Sequence, residues 1–163
     1  MSIVATPLSF AAASGVVASA LANGAGYSIS IFTIPALVQG APTTDVMVRQ
    51  WQMVFEKGMA TFPVFAAGTA LNYFYVAYRN WGRDLEWRGF AAGGVLQVAI
   101  VPFTLIFIAG VNSKLLAVVD PKAKKEMSKA VAQSLISQWG GLNAVRSTLG
   151  LLGTAAAAWN LLM

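Results

Sequence analysis

Apolar and charged positions alternate along this chain in blocks rather than residue by residue. Residues 1–44, 58–78 and 89–113 contain no Asp, Glu, Lys or Arg. Two further uncharged runs, 130–145 and 147–163, flank a single arginine, Arg146. Crossing a hydrocarbon layer of about 30 Å takes about 20 helical residues. The pattern therefore predicts four spans, the last extended backwards by 130–145. Small residues at Ala11, Gly15, Ser19 and Asn23 recur every fourth position, which lines one face of the first helix for close backbone approach. Helix packing alone explains Ala11, Gly15 and Ser19.

Turn and cap residues set the boundaries. The first helix is expected within Leu8–Leu37, with Pro35 ending or kinking it. "QGAPTTD" (39–45) reads as a loop, and the second helix as starting at Thr43 to Val46 with Thr44 or Asp45 as its cap. Pro63 is expected to kink that helix. Tyr73, Tyr75, Tyr78 and Trp81 read as an aromatic belt at its far end. "RNWGRDLEWRG" (79–89) is a polar turn, and the third helix starts near Gly89. In that helix Pro102 sits in mid-span, Thr104 is placed to bond a carbonyl, and Asn112 lies towards the end. Asp120 as cap and Pro121 at the first helical position predict a new helix that runs directly into the fourth span. Gly140 and Gly141 are the expected break within it. "ASALANG" (18–24) has an Ala-x-Ala pattern, but no positive residue precedes the apolar run, so a retained helix is the reading rather than a signal peptide. The fold class is thus all-α: one domain over 1–163, an integral membrane four-helix bundle whose helices extend beyond the bilayer on one side.

Composition narrows the chemistry. Of 163 residues, 57% are hydrophobic and 10% charged, where soluble domains carry about a quarter charged. The net charge of +5 sits in loops, with Arg79, Arg83 and Arg88 in one and Lys114, Lys122, Lys124, Lys125 and Lys129 in another. That layout suits interfacial anchoring and excludes a nucleic-acid surface. It favours loops one and three on the cytoplasmic side and both termini outside. There is no Cys, which removes disulfides, thiol nucleophiles and thiolate metal sites. There is no His, which removes the usual neutral-pH base and the commonest metal and haem ligand. No metal is expected.

An ionisable group at or near a span suggests a site. Arg49, Gln52 and Glu56 share one face at the start of helix two, beside Trp51 and Phe55. They either line a polar pocket or reach out to headgroups. Asn143, Arg146 and Ser147 share a face of helix four by i, i+3, i+4 spacing. Antiparallel threading puts the start of helix two, the end of helix three and the start of helix four at one surface. Arg49, Gln50, Trp51, Glu56, Asn112, Trp139, Asn143 and Arg146 are therefore expected to converge there, with Arg146 pairing Glu56.

Four blocks then carry a family resemblance: "GYSISIFTIPALV" (26–38), "RQWQMVFEKGMATFP" (49–63), "PFTLIFIAGVNSKLL" (102–116) and "WGGLNAVRSTLGLLG" (139–153). In this order they resemble the small four-helix membrane proteins of the DUF1772 family, which includes fungal anthrone oxygenases. The resemblance implies oxidation of an anthrone-type polycyclic polyketide to a quinone by O₂ without a cofactor. An anthrone CH₂ lies between two aryl rings and is conjugated to the carbonyl, so its anion forms readily and passes an electron to O₂ itself. Such a site needs an apolar slot and oriented donors for an oxyanion. Arg146 and Asn143 suit the oxyanion, and either Glu56 or the substrate's own acidity stands in for the base. Trp51, Phe55, Phe103 and Trp139 suit a flat polycyclic ligand, and Arg49, Thr104 and Asn112 complete the expected substrate-binding set. Family members are credited with a histidine base, which this chain lacks. The expected partners are the lipid bilayer, the aromatic substrate and O₂, with a homo-oligomer allowed. In a eukaryote the expected location is the endomembranes. The competing reading is a non-catalytic multi-pass membrane protein, either an assembly subunit or a binder of hydrophobic ligands.

Overall fold

A computed structural model describes residues 6–120, 122 and 126–163. These residues form four long helices, which we number α1 (Pro7–Gly40), α2 (Thr44–Trp81), α3 (Arg88–Val119) and α4 (Lys129–Leu162). Among the described residues there is no strand. α1 and α3 are each long and apolar enough to cross a membrane. Successive helices are antiparallel, joined by short turns at Ala41–Thr43 and Gly82–Trp87.

Helix starts follow side-chain capping, because the first backbone N–H groups of a helix lack internal partners. Thr6 caps α1 in a reciprocal box with Ser9, and Pro7 occupies the first position, where no N–H is needed. Thr43, one residue ahead of the expected cap, accepts from Val46 N at 3.3 Å. Ser128 caps α4. The expected helix from Asp120 does not run directly into α4: residues 126–128 are non-helical, and Asp120 Oδ1 accepts from the Lys122 backbone N–H at 2.8 Å. Pro121, Lys124 and Lys125 lie outside the described residues.

The prolines act differently from a simple stop. Pro35 does not end α1, which widens into a π turn over Ile29–Thr33 and continues to Gly40. A proline ring collides with the carbonyl four residues back, and a π turn just before it opens room there. Pro102 likewise sits inside α3, next to a second π turn over Thr104–Ile108. Thr104 Oγ1 donates to Ile100 O at 2.7 Å, as its position had suggested. The Gly140–Gly141 pair is no break, since α4 is continuous through it. At Gly140 an added Cβ would meet Ile34, whereas nothing lies within 4 Å of one at Gly141. Gly141→Ala is thus expected to leave activity intact and raise stability by up to about 1 kcal/mol through helix propensity. A lower melting temperature would restore the hinge reading.

Two apolar cores hold the ends of the bundle. One gathers Met47, Val48, Trp51, Leu115, Ile136 and Trp139 at the Gly40–Thr44 end. The other gathers Ala12, Tyr73, Val76, Phe90 and Ala157 towards the Trp81–Arg88 end. Tyr73 therefore belongs to a core, with its hydroxyl donating to Gly15 O at 3.4 Å, and not to the aromatic belt. Tyr75, Tyr78 and Trp81 are exposed, as a belt requires. Glycines set the helix spacing: an added Cβ at Gly93 would stand 2.8 Å from Gly153 O, so α3 and α4 touch backbone to backbone.

Candidate active site

Between the two cores the bundle is hollow. A cavity of about 230 Å³ runs along α2 from Val54 to Thr69 and along α3 from Gln97 to Asn112. Its floor comes from α1 (Ala22–Ile29) and from Trp139, Arg146 and Ser147 of α4. Most of the surface is apolar, with Phe55, Met59, Phe62 and Phe65 on α2 and Ile100, Leu105 and Ile108 on α3. Both π turns contribute: Ile29 from the first, and Thr104, Leu105 and Ile108 from the second. The lining residues Met59, Phe65, Val101 and Leu105 are also exposed on the outside. The Cα atoms of the Thr104–Ile108 turn stay more than 8 Å from those of α2. The cavity thus opens sideways, between α2 and α3.

Arg146 is the only ionisable side chain among the lining residues. Its Nη2 donates to Asn143 Oδ1 at 2.6 Å, and its guanidinium lies 5.9 Å from the centre of the Phe62 ring. Asn143 is 1% exposed and does not line the cavity. Its Nδ2 donates to Gly26 O at 2.7 Å and to Ser30 Oγ at 2.8 Å, at the onset of the first π turn. Asn143 therefore ties α4 to α1 and turns its carbonyl towards Arg146. This buried amide holds the guanidinium in place from outside the cavity lining. Asn112 and Trp139 also line the cavity and are coupled, the indole Nε1 donating to Asn112 Oδ1 at 2.9 Å. That leaves the Asn112 amide N–H groups without a partner among the described residues.

The expected convergence is only partly what the structure builds. Trp51 meets Trp139 edge-on at 6.0 Å and stacks on Phe55 at 5.3 Å. Trp51 is fully buried and supports the cavity from behind, while Phe55 lines it. Its indole N–H has no partner among the described residues. Phe103 also sits behind the lining, against Phe107 at 4.9 Å. Thr104 lines the cavity.

The expected Glu56–Arg146 pair does not exist. Glu56 is exposed, accepts from Gln52 Nε2 at 2.8 Å, and lies outside the lining. Arg49 is exposed too and pairs with Asp45 at 2.9 Å. The reason is angular: Arg49 stands two residues before the core position Trp51 and Glu56 five after it, rotations of about 200° and about 140° that turn both side chains to the outer face, where each finds its partner on its own helix. Glu56→Gln is accordingly expected to change turnover by no more than about twofold, the scale of an ordinary surface substitution. A loss of two orders of magnitude in a quinone-formation assay would return Glu56 to the site.

Several polar residues at the cavity were not singled out from the sequence. Gln97, 1% exposed, is the foremost. Its Nε2 donates to Ser19 Oγ at 2.6 Å and to Gly150 O at 3.2 Å. Ser19 Oγ also lies 2.6 Å from Thr154 Oγ1. The four-residue stripe on α1 had flagged Ser19 and Asn23 as inward-facing, and both are. Gln97 carries no comparable mark, being one amide in an apolar run.

Against known proteins, the model of one family, described as anthrone oxygenase, matches residues 51–156. The chain is 34% identical over 132 residues to a protein named monooxygenase hypC from Dothistroma septosporum, covering 80% of this chain and 71% of that one. It is 29% identical over 147 residues to anthrone oxygenase AgnL2 from Paecilomyces divaricatus, covering 88% and 90%. A third relative, anthrone oxygenase dmxR16 from a Cryptosporiopsis species, is 29% identical over 135 residues, covering 83% and 76%. No solved structure matches the chain.

Proposed function

The chain belongs to the anthrone oxygenase family, and from that membership we propose that it oxidises a polycyclic anthrone to the quinone with O₂, without a cofactor, in the Arg146 cavity. The observation that carries this reading is one cation, fixed by a buried amide, in an otherwise apolar chamber. At about 230 Å³ the chamber is slightly below the usual range of about 300–1,000 Å³ for ligand pockets, in keeping with a flat ligand. Phe55, Phe62 and Trp139 offer it ring faces and edges.

The chemistry asks little of the protein beyond charge placement. Loss of a proton from the anthrone CH₂ moves negative charge onto the carbonyl oxygen, where Arg146 stabilises it in a dry, low-dielectric setting. The carbanion passes electron density to O₂ and a C–O bond forms. Protonation gives a hydroperoxide, which loses water to leave the new carbonyl. One oxygen atom ends in the quinone and the other in water with the two hydrogens of the CH₂, so no external reductant is needed. With no carboxylate among the lining residues, ionisation rests on the substrate's own acidity, increased by Arg146.

We further place the bundle in a membrane as a multi-pass protein. α1 and α3 are apolar enough for this, and their outer faces expose Phe10, Leu21, Phe32, Val98 and Ile106. The sideways opening of the cavity would then admit an apolar substrate and O₂ directly from the acyl chains. Membranes containing the chain are expected to convert emodin anthrone to quinone in air faster than control membranes, followed by quinone absorbance. A rate equal to the spontaneous background overturns the enzymatic reading and leaves a binder of hydrophobic ligands.

A further inference from the structure

Resting on the cavity described above, we propose that Gln97 forms a hydrogen-bond-acceptor subsite that selects ligands carrying a hydroxyl donor. Ser19 Oγ and Thr154 Oγ1 lie 2.6 Å apart, with either able to donate, and Thr154 Oγ1 is 2.9 Å from Gly150 O. Gln97 Nε2 donates to Ser19 Oγ at 2.6 Å and to Gly150 O at 3.2 Å. Because a backbone carbonyl is only an acceptor, the amide atom facing Gly150 is the nitrogen, which settles the orientation of Gln97. Asn23 Nδ2 likewise spends its protons on Ser19 O at 2.9 Å and Ser19 Oγ at 3.2 Å.

Both amides therefore turn their N–H groups away into the Ser19–Thr154 relay. Gln97 Oε1 is left with no protein donor among the described residues, whereas Asn23 Oδ1 packs against Gly150 of α4. Both side chains line the cavity, and Gln97 is almost wholly buried. The neighbouring hydroxyls repeat the pattern: Thr69 donates to Phe65 O at 2.7 Å and Thr104 to Ile100 O at 2.7 Å. This wall offers acceptors and no spare protons. A buried acceptor without a partner is costly, so a ligand that supplies an O–H is favoured and an isostere without one is penalised. Ser19 is the positioning residue, since it aims both amides.

The test uses the full chain in lipid nanodiscs, with tryptophan fluorescence quenching to measure binding of 2-hydroxyanthraquinone, 2-methoxyanthraquinone and anthraquinone. The hydroxy compound is expected to bind about tenfold more tightly than the methoxy compound, the scale of a hydrogen bond to a buried group. In Gln97→Met that ratio is expected to fall to about one, and in Ser19→Ala to fall partway. Equal wild-type affinity for hydroxy and methoxy ligands overturns the subsite while leaving the cavity reading intact. So does a ratio unchanged in Gln97→Met. Failure of all three ligands to bind the wild type overturns the cavity reading itself. The wild-type comparison needs no variant, so it decides the matter even where a substitution prevents folding.

Discussion

Arg146→Ala is expected to lower turnover of an anthrone by about 10²–10³-fold, the scale of removing one preorganised oxyanion donor. The protein should still accumulate, because the Arg146 side chain points into a cavity and its removal leaves Asn143 bound to Gly26 and Ser30. Arg146→Lys is expected to recover part of the rate. It restores a charge but not the planar fork that can hold Asn143 and a ligand together. The measurement is quinone formation in membranes adjusted to equal protein. Turnover in Arg146→Ala within a few-fold of the parent would remove the oxyanion from Arg146 and with it the proposed chemistry.

Gly93→Leu is expected to cause the largest loss of stability. An added Cβ would lie 2.8 Å from Gly153 O and 3.0 Å from Tyr73 Cδ2. The reciprocal approach is equally tight, with a Cβ at Gly153 3.0 Å from Gly93 O. A side chain in the way can change rotamer, but a helix backbone must move as a unit. Overpacking commonly costs about 1–3 kcal/mol, and here the cost should reach or exceed about 3 kcal/mol. That is a large part of a total stability of about 5–15 kcal/mol. The check is the unfolding midpoint of the purified chain in detergent. Parent-like melting would mean that α3 and α4 do not meet at Gly93 and Gly153.

Much of the fold was legible because helices declare themselves locally. Uncharged runs, the loop at 39–45 and the polar turn at 79–89 set the four helices, and antiparallel threading follows from short turns. The small-residue stripe on α1 announced its inward face. The start of α4 misled, since Asp120-Pro121 imitates a helix start while Ser128 supplies the cap that is used. The glycine pair at 140–141 misled for a different reason. Glycine at Gly140 answers to Ile34 on another helix, a packing demand that looks like a hinge in one dimension.

The candidate site divides along the same line. From the sequence alone came the family pattern, the prominence of Arg146, and the placing of Asn112 and Trp139 near one another. Rotation about each helix axis was decided only in three dimensions. Glu56 and Arg49 turned outward, Trp51 and Phe103 stood behind the lining, and Asn143 faced α1 instead of the cavity. A helix that is apolar nearly all round has no periodic mark of its inner face. The hydrogen-bond network of Ser19, Gln97, Asn23 and Thr154 was out of reach as well. It depends on contacts between residues 78 and 135 positions apart, where local sequence carries no information about which atom faces which.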